Sequence, residues 1–244
     1  MVPRQAAIMV STDKQTCQYF DAQSPSYDPE RLSFCLPFLQ ERGDAATRLI
    51  DVGCGDGSTL RYVRENTPIR DLTGLDITDR YLQRAKARFG CRTILGSVLD
   101  PKLVADHHQQ FDVCLLASVL HHLIGRTRGA SSRLAQTAID HVLHLVRPGG
   151  HLVLFEPCHG PIALMTAVFW IKKTVGTFTN RRLEIHAKWF NPGQPVVSYY
   201  TVQQVEAFCR HSKPARIIHK SISAPKKLFR IINREELGLI IEKL

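Results

Sequence analysis

Apolar and polar positions along this chain follow two rhythms that take turns. Short runs are apolar on both alternating sets of positions: Arg48 to Val52, Leu72 to Ile77, Arg92 to Leu95, Phe111 to Ala117 and His151 to Phe155. Such runs suit strands buried on both faces. Between them, apolar residues recur three and four positions apart, as on one face of a helix. Ser58 to Glu65, Asp79 to Phe89 with Asp79 as N-cap, and Ser132 to Val146, stopped by Pro148 and Gly149, read as helices. Pro29 to Gly43 carries Leu32, Phe34, Cys35, Leu36, Phe38 and Leu39, and reads as a helix ending at Gly43. Strands alternating with helices predict an α/β fold with a parallel sheet covered on both sides.

The rhythm breaks between Pro157 and about Ser198, a stretch too long for an ordinary connection of roughly 2–6 residues. It predicts an inserted, substrate-facing cap. Thr201 to Arg210 then reads as a helix, and Arg216 to Ser221 with Leu228 to Ile232 as a closing antiparallel pair. The expected organisation is an N-terminal arm and helix forming a lid over 1–43, a cofactor-binding core over 44–156, the cap over 157–199, and a C-terminal helix and strand pair over 200–244 that completes the sheet.

The chemistry concentrates in Asp51-Val52-Gly53-Cys54-Gly55-Asp56-Gly57, which follows one apolar strand and opens a helix. Glycines let the backbone turn sharply and let a ligand approach without a Cβ in the way. Asp76 ends the next strand, where an acid can accept both ribose hydroxyls of an adenosine group. A dinucleotide fingerprint spaces its glycines G-x-G-x-x-G, whereas here the third comes one residue early. Asp51, two residues before the first glycine, would repel a pyrophosphate and suits the ammonium of a methionine group. A nicotinamide dehydrogenase is disfavoured on both counts.

These residues resemble the class I S-adenosylmethionine-dependent methyltransferases, especially the small-molecule branch that includes ubiquinone- and menaquinone-biosynthesis-type enzymes. The resemblance runs from about Tyr19 to Pro157, with a weaker echo from Tyr200 onward. "LIDVGCGDG", "LTGLDIT", "FDVCLLASVLHHL" and "LVRPGGHLVLFEP" stand in the family's order and spacing. The resemblance implies a Rossmann-like, mostly parallel seven-stranded sheet with an antiparallel last strand, and S-adenosyl-L-methionine as cofactor. It further implies that Gly53, Cys54 and Gly55 line the methionine end above Asp51, that Asp76 holds the ribose, and that Ile77 lies against the adenine. Ser97 and Val98 would flank the adenine edge, and Ala117 and Ser118 would face the reacting centre. Ser97 stands where many members carry an acid.

Methyl transfer from a sulfonium needs alignment and, for a hydroxyl acceptor, a base. His121 and His122, just after the fourth strand, and Glu156, ending the fifth, are the catalytic candidates. A packing or capping role for the histidines, and a structural hydrogen-bonding role for Glu156, stay open beside it. His159, His186, Tyr199 and Tyr200 are further acceptor-site candidates. No metal-ligand spacing stands out, so no metal is expected.

Composition narrows the partners. The chain of 244 residues has a net charge of +10 and seven scattered cysteines. No Cys pair has disulfide or zinc spacing, no signal peptide is evident, and a cytoplasmic protein with reduced thiols is expected. The apolar run Pro161 to Ile171 falls short of the roughly 20 residues of a membrane span. It leads into Lys172 and Lys173, with Arg181, Arg182, Lys188 and Trp189 beyond. That composition suits a helix on an anionic membrane surface, a lid over a greasy acceptor, or a buried cap helix. A small-molecule or lipid-like acceptor is the leading expectation. RNA or protein methylation and a non-catalytic binding module are the alternatives. Nucleic acid is not favoured, since no RNA-binding module or basic-aromatic stripe is present. Acceptor identity and oligomeric state are not legible.

Overall fold

The computed structural model describes residues 29–178, 196–212, 214–228 and 231–244. A 3-10 helix at Pro29–Cys35 leads into α1 (Leu36–Arg42), β1 (Arg48–Val52), α2 (Ser58–Asn66), β2 (Asp71–Asp76), α3 (Asp79–Phe89) and β3 (Arg92–Leu95). Next come α4 (Pro101–Asp106), β4 (Phe111–Ala117), a 3-10 turn at Leu120–His122, α5 (Arg128–Leu145) and β5 (Val146–Gly160). The remainder is α6 (Ile162–Phe178), α7 (Val202–His211), β6 (Ala215–Ile222), β7 (Lys226–Leu228) and β8 (Ile232–Lys243).

The strands form one sheet in the order β3-β2-β1-β4-β5-β8-β6, with β7 paired to β8. Strands β1 to β5 pair in parallel, and β8 runs antiparallel to both β5 and β6. This is the mostly parallel Rossmann-like fold that the sequence resemblance implies, with the short β7 as an eighth strand. From β1 the chain steps outward to β2 and β3, then returns to β4 on the other side. Open α/β sheets bind ligands beyond the carboxyl ends of the strands at such a reversal.

Side chains alternate across the sheet with a period of two. Ile50, Cys114, Leu116, Leu152, Leu154, Leu239 and Ile241 pack on one face with α5 and α7, against Ala135, Ala138, Ile139, Val142 and Val205. Leu49, Val113, Leu115, Val153, Phe155 and Ile240 pack on the other, against Leu32, Leu39, Leu60, Val63 and Leu82. Burial on both faces explains why these strands read as continuous apolar runs.

Several boundaries differ from the sequence expectation. The Pro29–Gly43 stretch divides into a 3-10 helix and an α-helix, with a proline in the first turn of α1. Thr78, not Asp79, is the N-cap of α3, and Asp79 is its first residue. Helix α5 starts at Arg128, because the Thr127 hydroxyl accepts from the Ala130 N–H at 3.1 Å. It ends at Leu145, and Pro148 and Gly149 lie within β5. Strand β5 continues to Gly160, past the expected boundary at 156, by pairing with β8 as far as Asn233. The largest correction is β8. The expected short strand from Leu228 to Ile232 is replaced by a 12-residue strand from Ile232 to Lys243. It lies between β5 and β6, and its middle packs into the core on both faces of the sheet, through Leu237, Leu239 and Ile241 on one and Ile240 on the other.

Candidate active site

The turn after β1 is built by its neighbours. Gly53 and Cys54 donate their N–H groups to the Leu75 carbonyl, at 2.7 and 3.1 Å, clamping the turn to β2. Gly53, Gly55 and Gly57 all have positive φ, at 76°, 53° and 82°, a region costly for other residues. A Cβ at Gly53 would sit 2.6 Å from Val119, so this turn and the segment after β4 lie in contact. A Cβ at Gly55 would meet nothing within 4 Å, which leaves open space in front of that backbone.

Asp76 closes this turn. Its carboxylate accepts from the Gly55 N–H at 2.9 Å and from the Thr78 N–H at 2.8 Å. Burial raises its pKa, and those donors oppose the rise. Asp51 lies beneath the turn at 2% exposure, and its Oδ2 has no hydrogen-bond partner among the described residues. Burial, with the Asp76 charge beside it, pushes Asp51 up to about 7. A buried carboxylate oxygen without a donor is costly, and an arriving cation would satisfy it. Cys54 packs its sulfur over Gly74, where a Cβ would come within 2.6 Å. Its thiol is buried and shifted far upward, which makes it a poor nucleophile.

Ile77 follows Asp76 and is half-buried. Ser97 Oγ accepts from the Leu99 N–H at 3.2 Å, and Val98 is buried with its carbonyl 2.7 Å from His141 Nδ1. The Ser97 hydroxyl therefore shapes its own turn before α4.

The ends of β4 and β5 carry the remaining candidates. Ala117 is buried, and Ser118 follows with φ 58°, its N–H bonded to the Phe155 carbonyl at 2.8 Å. Glu156, 1% exposed, accepts from the main-chain N–H groups of Leu120 (3.2 Å) and His121 (3.3 Å), and its Oε1 meets His121 Nδ1 in a short contact. Burial drives Glu156 up to about 8. His121 goes down to about 3, through burial first and then the Arg31 and Lys172 charges. His122 also falls well below the ordinary range, and its ring centroid lies 4.1 Å from that of His121.

Tyr199 packs against this group, 5.5 Å from the His121 ring and 4.1 Å from His159. Tyr200 turns the other way, into the core, edge-on to Phe208 at 5.2 Å. His186 lies outside the described residues.

Arg31, which the sequence did not single out, reaches the site from the N-terminal 3-10 helix. It donates to Ser118 Oγ at 3.4 Å and sits 5.5 Å above the Phe155 ring. Of the readings open for this segment, the membrane-surface helix would expose Lys172 and Lys173, and the structure does not. Lys172 is 6% exposed, and Lys173 donates to the carbonyls of Gly125 (2.9 Å) and Arg126 (2.7 Å). Arg181, Arg182, Lys188 and Trp189 lie outside the described residues. Among the described residues no helix is long and apolar enough to cross a membrane, and no cluster of three His, Cys, Asp or Glu side chains could hold a metal ion.

Comparison with known proteins shows what the chain is similar to. Residues 50–152 match the family model described as a methyltransferase domain. N-methyltransferase NodS from Bradyrhizobium japonicum, solved with S-adenosyl-L-homocysteine, superposes with a TM-score of 0.58 at 16% identity, covering 95% of this chain and 98% of that one. Geranyl diphosphate C-methyltransferase from Streptomyces coelicolor gives 0.59 at 8% identity, covering 93% and 97%. An uncharacterized protein of Synechococcus sp. is 27% identical over 134 residues, 51% of this chain and 32% of that protein. The chain thus spans about a third of the length of that curated relative. Residues 50–152 are thus similar to a methyltransferase domain, and the chain shares its fold with solved methyltransferases.

Proposed function

We propose that the protein methylates a small-molecule or lipid-like acceptor whose reacting atom sheds a proton, with His121 as base and Glu156 as its orienting carboxylate. The observation carrying this reading is the buried His121–Glu156 contact just past the point where the pairing of β4 with β5 ends, in a segment touching the Gly53 turn. In this reading Gly53, Cys54 and Gly55 line the methionine end, and Asp51 Oδ2 receives its ammonium. Asp76 receives the ribose hydroxyls, Ile77, Ser97 and Val98 surround the adenine, and Ala117 and Ser118 border the reacting centre. The orphaned Asp51 oxygen and the open space before Gly55 fit such a ligand.

The bound cofactor supplies an activated methyl group. The protein's own residues supply alignment and handle the proton. With Nδ1 directed at Glu156, the His121 nitrogen left for an acceptor is Nε2. An ionised Glu156 accepts the Nδ1–H, so Nε2 presents a lone pair to the acceptor's proton. The main-chain donors and Arg31 favour that ionised form, against burial.

The test is a panel of oxygen, nitrogen, sulfur and carbon nucleophiles incubated with methyl-labelled S-adenosylmethionine. Label should pass to one class, and Glu156→Gln should slow transfer by about 10²–10⁴-fold while leaving S-adenosylhomocysteine affinity unchanged. If the cofactor product binds tightly and no class takes label, the chain is a binding module instead.

A further inference from the structure

The stretch from Ser198 to Tyr200 is pinned at both ends by main-chain bonds. The Ser198 N–H donates to the His121 carbonyl at 2.9 Å, and the His159 N–H donates to the Tyr200 carbonyl at 2.8 Å. One bond ties the stretch to the turn after β4, the other to the end of β5. Ser198 and Tyr200 are both 0% exposed. Tyr199, held between them and half-buried, lays its ring against two imidazoles. Its centroid is 5.5 Å from that of His121, with the planes 26° apart, and 4.1 Å from that of His159. Met165 and Val168 of α6 pack with Ile232 and against the tyrosine, which steadies it from the side of the helix. The His121 ring is therefore set by three neighbours: Glu156 at Nδ1, the Tyr199 ring, and the His122 ring 4.1 Å away.

We infer that Tyr199 is the positioning residue of His121, its ring face set to favour the imidazolium that forms when Nε2 takes the acceptor's proton. The inference rests on the methyl-transfer reading, in which His121 is the base. In that step a lone pair on the acceptor atom bonds the methyl carbon, and the carbon–sulfur pair stays on sulfur as S-adenosylhomocysteine leaves. The acceptor's proton passes to Nε2, and the ring carries a positive charge while Glu156 holds Nδ1–H. An aromatic face attracts a cation within about 6 Å of its centroid, and the His121 ring lies inside that range. A neutral imidazole gains much less, so the attraction grows toward the transition state, and only such an interaction speeds the chemical step. Burial and the Arg31 and Lys172 charges work against the imidazolium. Glu156 and the Tyr199 face oppose them from two sides of the ring.

The experiment uses the full chain and the acceptor class that takes label from methyl-labelled S-adenosylmethionine. Tyr199→Leu should lower kcat by about tenfold, with KM and S-adenosylhomocysteine affinity unchanged. Tyr199→Phe, which keeps the ring, should restore most of that loss. Phenylalanine analogues of increasing fluorination at position 199 keep the ring's shape and drain its face of negative charge. Across that series log kcat should fall stepwise, and the series stands in for the leucine variant if that one does not fold. A folded Tyr199→Leu that turns over like the wild type overturns the inference alone. So does a flat fluorination series, because the ring would then act by shape. A wild type that passes label to no acceptor, or a His121→Gln variant as fast as the wild type, overturns the proposed function beneath it.

Discussion

At the scale of single residues, the carboxylates of the site are tuned in one direction by burial, and this makes them measurable. Asp51 is shifted up to about 7. In the proposed reading its ionised form receives the cofactor's ammonium, so protonation removes the attraction. S-adenosylhomocysteine affinity should therefore weaken as pH falls below about 7, by up to about tenfold per pH unit. Asp51→Asn should be weaker throughout and flat across that range in calorimetric titrations. Asp76→Ala should weaken cofactor binding by about 1.5–3 kcal/mol or more, since Asp76 also closes the turn through Gly55 and Thr78. An unchanged affinity in a folded variant would remove the ribose assignment. Glu156 gives a window of the same sign at higher pH. If its ionised form is the working one, kcat/KM for the acceptor found by screening should climb as pH rises toward about 8. Lys172 loses its proton in the same range, and Arg31 and His122 face the same group. The limb is therefore best measured in Lys172→Arg, where the cation persists, and it should vanish in Glu156→Gln.

At the scale of elements, α6 shows where sequence reading reaches and where it stops. Its apolar run was visible, and so was its place after β5. Its rotation was not. The surface-helix reading took Lys172 and Lys173 together as exposed bases, whereas helical phase puts Lys172 in line with Met165, Val168 and Phe169. That periodicity was the signal available to find it. The outward face of α6 instead shows Ile162, Trp170 and Ile171, each more than two-fifths exposed at 48%, 45% and 48%. Contact with an anionic membrane, as a proposal, now rests on this apolar face. Trp170→Glu should then reduce sedimentation with phosphatidylserine vesicles, with no change if the face stays in water. Lys173→Glu should lower thermal stability instead, because it breaks two hydrogen bonds from a charged donor. Strand β8 escaped for a different reason. Its middle, Leu237 to Ile241, packs into the core on both faces of the sheet and so lacks the alternation by which the closing pair was read. The strands flanking the glycine turn were legible because their neighbours in sequence are also neighbours in space. By contrast, the approach of Arg31 to Ser118 spans 87 residues and left no local trace.

At the scale of the whole molecule, the two distant ends of the described chain meet over the site. Gly238 in β8 is registered opposite Phe155 in β5. Phe34 of the N-terminal 3-10 helix lies on Gly238 so closely that a Cβ there would come within 2.7–2.8 Å of three of its ring atoms. Three residues earlier, Arg31 lies over Phe155 and bonds Ser118. The last strand therefore sets the height of the segment that delivers Arg31 to the end of β4. Gly238→Ala should lift Phe34 and, with it, Arg31. Overpacking of this kind costs about 1–3 kcal/mol of stability, read as a lowered midpoint in urea. It should also weaken S-adenosylhomocysteine binding, although Gly238 is not among the residues proposed to line the cofactor. Phe34→Ala removes the clash, so the double variant should recover part of both losses. Contacting residues are expected to depart from additivity in this way, and separate ones are not. Strict additivity of the two substitutions in both stability and affinity would show that the N-terminal segment and the closing strand act independently.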